Sequence, residues 1–297
     1  MTSPRTYRYR VVDVFTMQQL EGNALAVFPD ASGLADTTMQ RIARELNLAE
    51  TVFILPPSSG DYTARLRIFT PLRELPFAGH PTIGASFVLL DEGIAPVREG
   101  GFVLEENVGP VPVRVGGGDP PRLWLTTPPI RDGRLFDPAL CAKTLGLSPQ
   151  DVLDVAPQLL DAGNPTLLVA LRDEEAVDRA WLDARDATAL RGPASGPICV
   201  FVFTPTKDGA YSRMFAPEHG VVEDPATGSS TGPLALFMMR HGLVSSGAGT
   251  RFISEQGTKM GRRSILHVNV RGEMGCEGIE VGGNVVPVAV ASMTLEA

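Results

Sequence analysis

Two stretches decide the fold: GHPTIGASFVLLDEG at residues 79–93 and GSSTGPLALFMMRHG at residues 228–242. They start 149 residues apart, and glycine, threonine and glycine recur at matching places without a gap. Each stretch is apolar nearly all round and closes on a glycine, which is typical of a buried helix with a glycine stop. A helix of this kind needs apolar partners on every side, so we expect each to be surrounded by its own strands.

Strand-like segments flank both helices and repeat in the same way. Gly22-Asn23 precedes one such segment, and Gly163-Asn164 precedes another 141 residues later. The order and spacing of these matches favour an internal duplication. The segments with strand character, bounded by Gly, Pro and Asp, are 8–16, 24–29, 51–55, 64–70, 166–171, 197–204, 211–216 and 266–272. The glycine run Gly116–Gly118, followed by Asp119-Pro120-Pro121, is the best candidate for a linker.

The composition excludes several classes of function. The chain has 297 residues and a formal net charge of −8 without a basic block, which argues against binding nucleic acid or an anionic membrane surface. No apolar run approaches the roughly 20 residues that span a bilayer, and no secretory pattern opens the chain, so we expect a cytoplasmic protein. Cys141, Cys199 and Cys276 lie far apart without metal-ligand spacing, so we expect reduced core thiols and no metal site.

The two repeated helices begin in unusual sequences, which we call the first entrance (ELPFAGHPTIGA, 74–85) and the second entrance (GVVEDPATGSSTG, 220–232). A helix N-terminus offers unpaired N–H groups and positive potential, and small residues allow close approach, so each entrance is a candidate site for carboxylates. Ordinary helix capping by Thr227 or Ser229 is the alternative. His80, between glycine and proline at a helix start, favours a functional interpretation.

Glu50 raises a separate question, because LNLAETVFIL (46–55) places it between an apolar helix end and an apolar strand. Burial would raise the pKa of this carboxyl, because an ionised carboxylate in apolar surroundings costs free energy. Either this cost serves no function, or the carboxyl is an acid/base whose pKa is adjusted for catalysis. Taken alone, Glu50 is more simply a half-exposed, satisfied glutamate. The sequence contains no nucleophile elbow, phosphate loop or zinc-protease motif, and none of its three lysines lies in a suggestive motif.

Together these residues resemble the phenazine biosynthesis isomerase family, the PhzF-like branch of the diaminopimelate epimerase superfamily. The resemblance runs through nearly the whole chain, and GHPT and EDPATGS after an N-L-x-E-T motif are specific as a set. The matching segments are DVFT (13–16), GNALAVF (22–28), ARELNLAETVF (43–53), RIFTPLRELPFAGHPTIGA (67–85), GNP (163–165), EDPATGSSTGPLA (223–235) and EQGTKMGRRS (255–264).

The resemblance implies an α+β fold of two pseudo-symmetric halves. In each half a curved, mostly antiparallel sheet wraps a central helix, and the active site lies in the cleft between the halves. The implied halves are residues 1–117 with 284–297 and residues 118–283, because the strand region 285–295 is expected to return to the first half. Members of this family are mostly homodimers, so a homodimer is expected here too.

The resemblance also implies the site. Glu50 of the N-L-x-E-T motif corresponds to the family's acid/base, and His80 and Asp224 to its other catalytic residues. The residues expected to bind substrate are Asn23, Gly79, Gly228 and Ser229. Neither entrance contains a cysteine, so the two-thiol mechanism of the racemase relatives is lost. The chain departs from the family at Thr166, where histidine often follows GNP, which bears on substrate identity.

The expected activity is that of a cofactor-independent isomerase acting on a small cyclic or amino-acid-like carboxylate similar to trans-2,3-dihydro-3-hydroxyanthranilate. One carboxyl group with a pKa near the working pH can remove a proton from one carbon and return it to another. Two alternatives remain open from the sequence. One is an epimerase or racemase that works without thiols, and the other is a non-catalytic metabolite-binding protein.

Overall fold

The computed structural model describes residues 4–98, 100–191, 196–272 and 278–296, so Cys276 lies outside the described residues. The chain divides into two compact units. The first is Met1–Thr126 with Gly282–Ala297, and the second is Thr127–Val281. Each unit is an α+β structure with one helix buried over most of its length and a largely antiparallel sheet, which confirms the predicted fold class. No helix in the described ranges combines the length and apolar character needed to span a membrane.

The first unit begins with eight strands and two helices. The strands are β1 (Arg5–Val14), β2 (Asn23–Phe28), β3 (Glu50–Leu55), β4 (Ala64–Phe69), β5 (Glu74–Leu75), β6 (Gly101–Glu106), β7 (Gly109–Val115) and β8 (Leu123–Thr126). The helices are α1 (Asp36–Leu46) and α2 (Gly79–Asp91). Strands β2 and β3 pair in parallel, as do β4 and β6, while the neighbouring pairs are antiparallel. Helix α2 packs on β1, β2, β3 and β8 and is buried from Gly79 to Leu89.

The second unit repeats this plan with additional helices. Its strands are β9 (Arg131–Leu135), β10 (Gln158–Asp161), β11 (Pro165–Ala170), β12 (Cys199–Thr206), β13 (Gly209–Ala216), β14 (Val221–Asp224), β15 (Arg251–Gln256), β16 (Ser264–Val270) and β17 (Ile279–Gly283). Its helices are α3 (Pro138–Thr144), α4 (Glu174–Arg179), α5 (Ala184–Arg191) and α6 (Gly228–Arg240). The parallel pairs, β11 with β12 and β13 with β15, stand at the places that β2–β3 and β4–β6 hold in the first unit. Helix α6 is buried from Gly228 to Met238.

The last strand, β18 (Val285–Leu295), returns to the first unit as expected. It runs antiparallel to β1 along the length of that strand, from the Arg5–Leu295 pair to the Val14–Val285 pair. The eight predicted strand segments each overlap an observed strand, so the alternation of turn residues with β-branched and aromatic residues is a sound guide here.

The glycine run at 116–118 has a different role from the predicted one. Strands β7 and β8 pair antiparallel on either side of it, and Gly116 N–H donates to the Arg122 carbonyl across the turn. Residues 116–122 are therefore a hairpin loop inside the first unit. The predicted boundary at 117/118 falls within this hairpin, whereas the units divide at 126/127, because β8 is held to β7 by its ladder.

Candidate active site

The first entrance leads directly into helix α2. Ala78, in extended conformation, is its N-cap residue and provides no side-chain cap, and the helix begins at Gly79. His80 is the second helical residue and is 4% exposed. The first helix start therefore has no capping side chain, since alanine carries no capping group.

Three predicted residues of the first unit meet at this entrance. Asn23, the first residue of β2, places its amide nitrogen Nδ2 3.2 Å from His80 Nδ1. On the other side of the ring, His80 Nε2 lies 3.3 Å from Glu50 Oε2. The parallel β2–β3 ladder, in which Leu25 pairs with Glu50, brings the start of β3 beside the start of β2. The side chains of Asn23, Glu50 and His80 therefore form one connected group.

The hydrogen-bond partners set the state of the imidazole. An amide NH₂ can only donate, so Nδ1 of His80 is the acceptor and a neutral ring carries its proton on Nε2, toward Glu50. Burial lowers the pKa of the His80 imidazole to about 3. The ring is therefore neutral near pH 7. Its Nε2 faces the Glu50 carboxyl at 3.3 Å but has no hydrogen-bond partner within the described part of the chain.

Glu50 combines partial burial with access. Its side chain is 15% exposed, whereas the His80 side chain is 4% exposed. The three residues that follow it in β3, Thr51 to Phe53, are buried, which accounts for the apolar sequence around this carboxyl. A carboxyl group that touches an imidazole and still reaches the surface has the access that acid/base chemistry on a small molecule requires.

The second entrance is organised around Asp224 and Gln256. Asp224 is buried and accepts a hydrogen bond of 2.5 Å from the Thr227 hydroxyl. Gln256, the last residue of β15, donates through Nε2 to the Asp224 carbonyl at 2.7 Å and to Thr227 Oγ1 at 3.0 Å. Its Oε1 accepts from the Thr227 N–H at 3.1 Å. Thr227 is the N-cap residue of α6, but its hydroxyl serves Asp224 and does not cap the helix.

Ser229 and Gly228 lie in the first turn of α6, as predicted, and both are buried. The next residue, Ser230, shares a 2.8 Å hydrogen bond with the Thr166 hydroxyl. Thr166, the residue that departs from the family pattern, is thus a fully buried partner of the α6 helix start.

Glu223, next to Asp224, is not simply solvated, as adjacent carboxylates often are. Arg213 of β13 donates to both of its oxygens at 2.8 Å, and the arginine side chain is 5% exposed. The same guanidinium donates to the carbonyls of Val177 and Ala180 at the end of α4. This buried clamp holds β14, and with it Asp224, in place.

Sequence reasoning found the central residues and missed their supports. Glu50, His80 and Asn23 come together in the first unit, and Asp224, Gly228 and Ser229 lie at the second entrance. The roles expected of all these residues stay predictions. The supports it missed are Arg213, Gln256 and Glu106, whose partners are distant in sequence. Among the described residues, no group of three His, Cys, Asp or Glu side chains is placed to hold a metal ion.

Comparison with protein families gives one match across the chain. The model of the phenazine biosynthesis-like protein family matches residues 12–291. Trans-2,3-dihydro-3-hydroxyanthranilate isomerase of Pseudomonas fluorescens is 35% identical over 295 residues, which cover 94% of this chain and 96% of that protein.

Solved structures show the same fold. The Bacillus anthracis phenazine biosynthesis protein of the PhzF family superposes with a TM-score of 0.86 at 23% identity, over 97% of this chain and 99% of its own. A hydroxyproline epimerase from Agrobacterium vitis superposes with a TM-score of 0.66 at 15% identity, over 99% of this chain and 94% of its own. At these identities, the two likenesses establish the fold alone.

Proposed function

This chain belongs to the phenazine biosynthesis-like family and is an isomerase, and on that premise we propose that Glu50 moves a proton on a small cyclic carboxylate. The proposed substrate is trans-2,3-dihydro-3-hydroxyanthranilate or a close analogue, the substrate in the name of the Pseudomonas fluorescens relative. The observation that carries the proposal is the 3.3 Å approach of the Glu50 carboxyl to the buried His80 ring, beside a helix start without a side-chain cap.

The proposed reaction uses one carboxyl group twice. Ionised Glu50 removes a proton from a ring carbon of the substrate, and the negative charge spreads into the conjugated system. Glu50 is partly exposed, so its proton can exchange with solvent before Glu50 delivers a proton to a different carbon, which leaves the atom count unchanged and the double bonds rearranged. General acid/base catalysis of this kind contributes about 10²- to 10⁴-fold to the rate.

His80 has a supporting role in this scheme. Its Nε2 lies 3.3 Å from Glu50 Oε2, and we expect the neutral ring to donate to the Glu50 carboxylate during the reaction, which would stabilise that carboxylate without a positive charge. Asn23 fixes the ring by donating to Nδ1 at 3.2 Å. This is the arrangement in which a second hydrogen bond defines the tautomer and orientation of a working histidine.

The remaining predicted residues are assigned to substrate binding. We expect Gly79, Gly228 and Ser229 to offer N–H and O–H donors to a substrate carboxylate, since helix starts favour anions. We expect Asp224 to accept from a substrate amine or hydroxyl group. The buried contacts of Asp224 with Thr227 and Gln256 support this role, because they fix its position before any substrate binds.

The proposed proton transfer is tested by measuring the uptake of deuterium from solvent into the product. The purified protein and the Glu50→Gln variant are incubated with trans-2,3-dihydro-3-hydroxyanthranilate in deuterated buffer, and product absorbance and mass are recorded. We expect conversion with gain of deuterium by the wild type and neither by the variant. Full turnover by Glu50→Gln would exclude Glu50 as the acid/base.

Two other results would redirect the proposal. Loss of optical rotation with unchanged connectivity, on this or another carboxylate, would identify an epimerase that works without thiols. Binding of the compound without its conversion would exclude it as the substrate and would support a metabolite-binding protein. The homodimer expected from the sequence stays a prediction, and sedimentation equilibrium of the purified chain tests it.

A further inference from the structure

Glu106 is a buried carboxyl group that the proposed reaction does not use. It is the last residue of β6 and is 4% exposed. Its Oε1 lies 2.6 Å from the hydroxyl of Thr82, in the first turn of α2. Within the described part of the chain, its Oε2 is buried without a hydrogen-bond partner. Buried carboxyl oxygens normally have hydrogen-bond partners, so the missing partner of Glu106 Oε2 needs an explanation.

A count of protons at Thr82 shows the state of Glu106. The Thr82 oxygen lies 2.7 Å from the Ala78 carbonyl oxygen and 2.6 Å from Glu106 Oε1. The hydroxyl has a single proton, which cannot be given to both oxygens. The carbonyl of Ala78 has no proton to offer. The second hydrogen bond therefore needs a proton that belongs to Glu106.

We propose that Glu106 is a protonated positioning residue for the first entrance. Its carboxylic O–H donates to Thr82, and the Thr82 hydroxyl donates to the Ala78 carbonyl. This chain of two hydrogen bonds joins the end of β6 to the N-cap residue of α2. It fixes the helix turn that carries His80, so it rests on the proposed role of Glu50 and His80.

The surroundings of Glu106 suit a neutral acid. The charged side chains nearby have partners of their own: Glu105 accepts from the Ser58 N–H, and Glu74 accepts from Asn107 and pairs with Arg67. Burial raises the pKa of the Glu106 carboxyl to about 8. An ionised carboxylate with one donor and no cation would be costly at this depth.

In the second unit, the side-chain amide of Gln256 occupies the position that Glu106 has in the first unit. Arg65 pairs with Glu105 in the first unit as Tyr211 pairs with Glu255 in the second, so Glu106 corresponds to Gln256. Gln256 makes two hydrogen bonds with Thr227, the N-cap residue of α6, at 3.0 and 3.1 Å, and a third, of 2.7 Å, to the carbonyl of Asp224. On this proposal, a side chain that donates a hydrogen bond to a threonine hydroxyl stands at each helix start. A protonated glutamate meets this requirement, but a carboxylate does not.

The test combines conservative and disruptive variants. Glu106→Ala removes the donor, and we expect kcat to fall by about 100-fold with little change in KM, as for a small displacement of a catalytic group. Glu106→Gln restores a neutral donor and acceptor, so it should recover most of this loss. Thr82→Ser keeps the hydroxyl and Thr82→Val removes it at nearly equal size. The serine variant should be active and the valine variant impaired.

A spectroscopic measurement decides the protonation independently of any substrate. The infrared difference between wild type and Glu106→Gln at pH 7 should contain the C=O band of an un-ionised carboxylic acid. In parallel, ¹⁵N spectra of the His80 ring should shift in Thr82→Val and remain as wild type in Thr82→Ser. These readouts hold even if the proposed substrate proves wrong.

Two outcomes would overturn the inference. The first is a carboxylate band in place of the acid band at pH 7. The second is an unchanged His80 spectrum in Thr82→Val, because the hydroxyl would then not position the ring. If Glu106→Ala fails to fold, the matched pair at Thr82 and the infrared spectrum still decide.

Discussion

Helix α2 of the first unit and helix α6 of the second begin and end with the same contacts. The Thr82 hydroxyl bonds the Ala78 carbonyl at 2.7 Å, and the Thr231 hydroxyl bonds the Thr227 carbonyl at 2.9 Å. At the other end, Gly93 and Gly242 have φ values of 68° and 65°. The closing glycines lie at the far end of each helix from its entrance, so these shared details reflect the common scaffold of a duplicated unit.

The chemistry at the two helix starts is different. Glu50 opens β3, and the register of the parallel strands places Cys199 at the equivalent point of β12, opposite Thr166. Asn23 contacts His80 in the first unit, whereas Asn164 accepts from the Cys199 thiol at 3.6 Å in the second. Both units therefore have the same arrangement of strands around a helix. In the first unit a glutamate and a histidine adjoin at the helix start, whereas in the second unit the position equivalent to the glutamate is Cys199.

The largest expected difference in stability concerns a matched pair of arginine–glutamate clamps. Arg213 and Glu223 are 5% and 10% exposed, whereas Arg67 and Glu74 are 13% and 26% exposed. Arg213→Met leaves a buried carboxylate without its cation and should lower the free energy of unfolding by about 3–5 kcal/mol. Arg67→Met should cost about 1 kcal/mol, because water reaches that pair.

Urea unfolding followed by circular dichroism measures both variants. Equal losses in the two proteins would show that burial does not distinguish the clamps. A loss confined to Arg67→Met would reverse the assignment of the more important clamp.

A smaller effect separates Glu106 from Gln256, since the glutamate titrates and the amide does not. The pKa of Glu106 is raised from 4.5 to about 8 in the folded protein, so the folded state holds a proton that the unfolded chain releases. Its contribution to stability is fully present below pH 4.5 and is lost as the pH rises through about 8. Between pH 6 and 8 this should lower the free energy of unfolding by about 2 kcal/mol.

Glu106→Gln provides the control for this titration. The difference in unfolding free energy between wild type and variant, measured at several pH values, isolates the single group. A difference that does not change from pH 6 to 8 would contradict a raised pKa at this site.

The smallest expected effect tests the shared helix ends. An added Cβ at Gly93 or Gly242 would meet no atom within 4 Å, so only the left-handed backbone disfavours alanine there. Gly93→Ala and Gly242→Ala should each cost about 1 kcal/mol. Gly60→Ala, at an open position without a positive φ, should cost nothing measurable. Clearly unequal losses at Gly93 and Gly242 would show that the two helix ends are not equivalent.

The sequence predicts the two buried helices and their strands well, because these elements depend on residues that are close together in the chain. Gly79 and Gly228 mark the helix starts, and the apolar character of each helix predicts its burial. The linker prediction failed because a hairpin loop such as 116–122 needs the same glycine and proline residues as a linker. Whether the flanking strands pair is a long-range property, which composition does not reveal.

The supporting residues escape prediction for a related reason. Glu106 and Gln256 stand at the ends of strands, and each acts on a helix start distant in the chain. Their equivalence emerges from strand register, which depends on pairing across the sheet. Glu50 and Cys199 differ in this respect, because they lie 149 residues apart, the same offset as the two repeated helices.

The central claim is that acid/base catalysis belongs to Glu50 and not to its counterpart Cys199. The most direct test measures kcat/KM with trans-2,3-dihydro-3-hydroxyanthranilate for Glu50→Gln and Cys199→Ala side by side. We expect a loss of about 10²- to 10⁴-fold for Glu50→Gln and near wild-type activity for Cys199→Ala. Near wild-type activity in Glu50→Gln, or a comparable loss in both variants, would contradict the central claim.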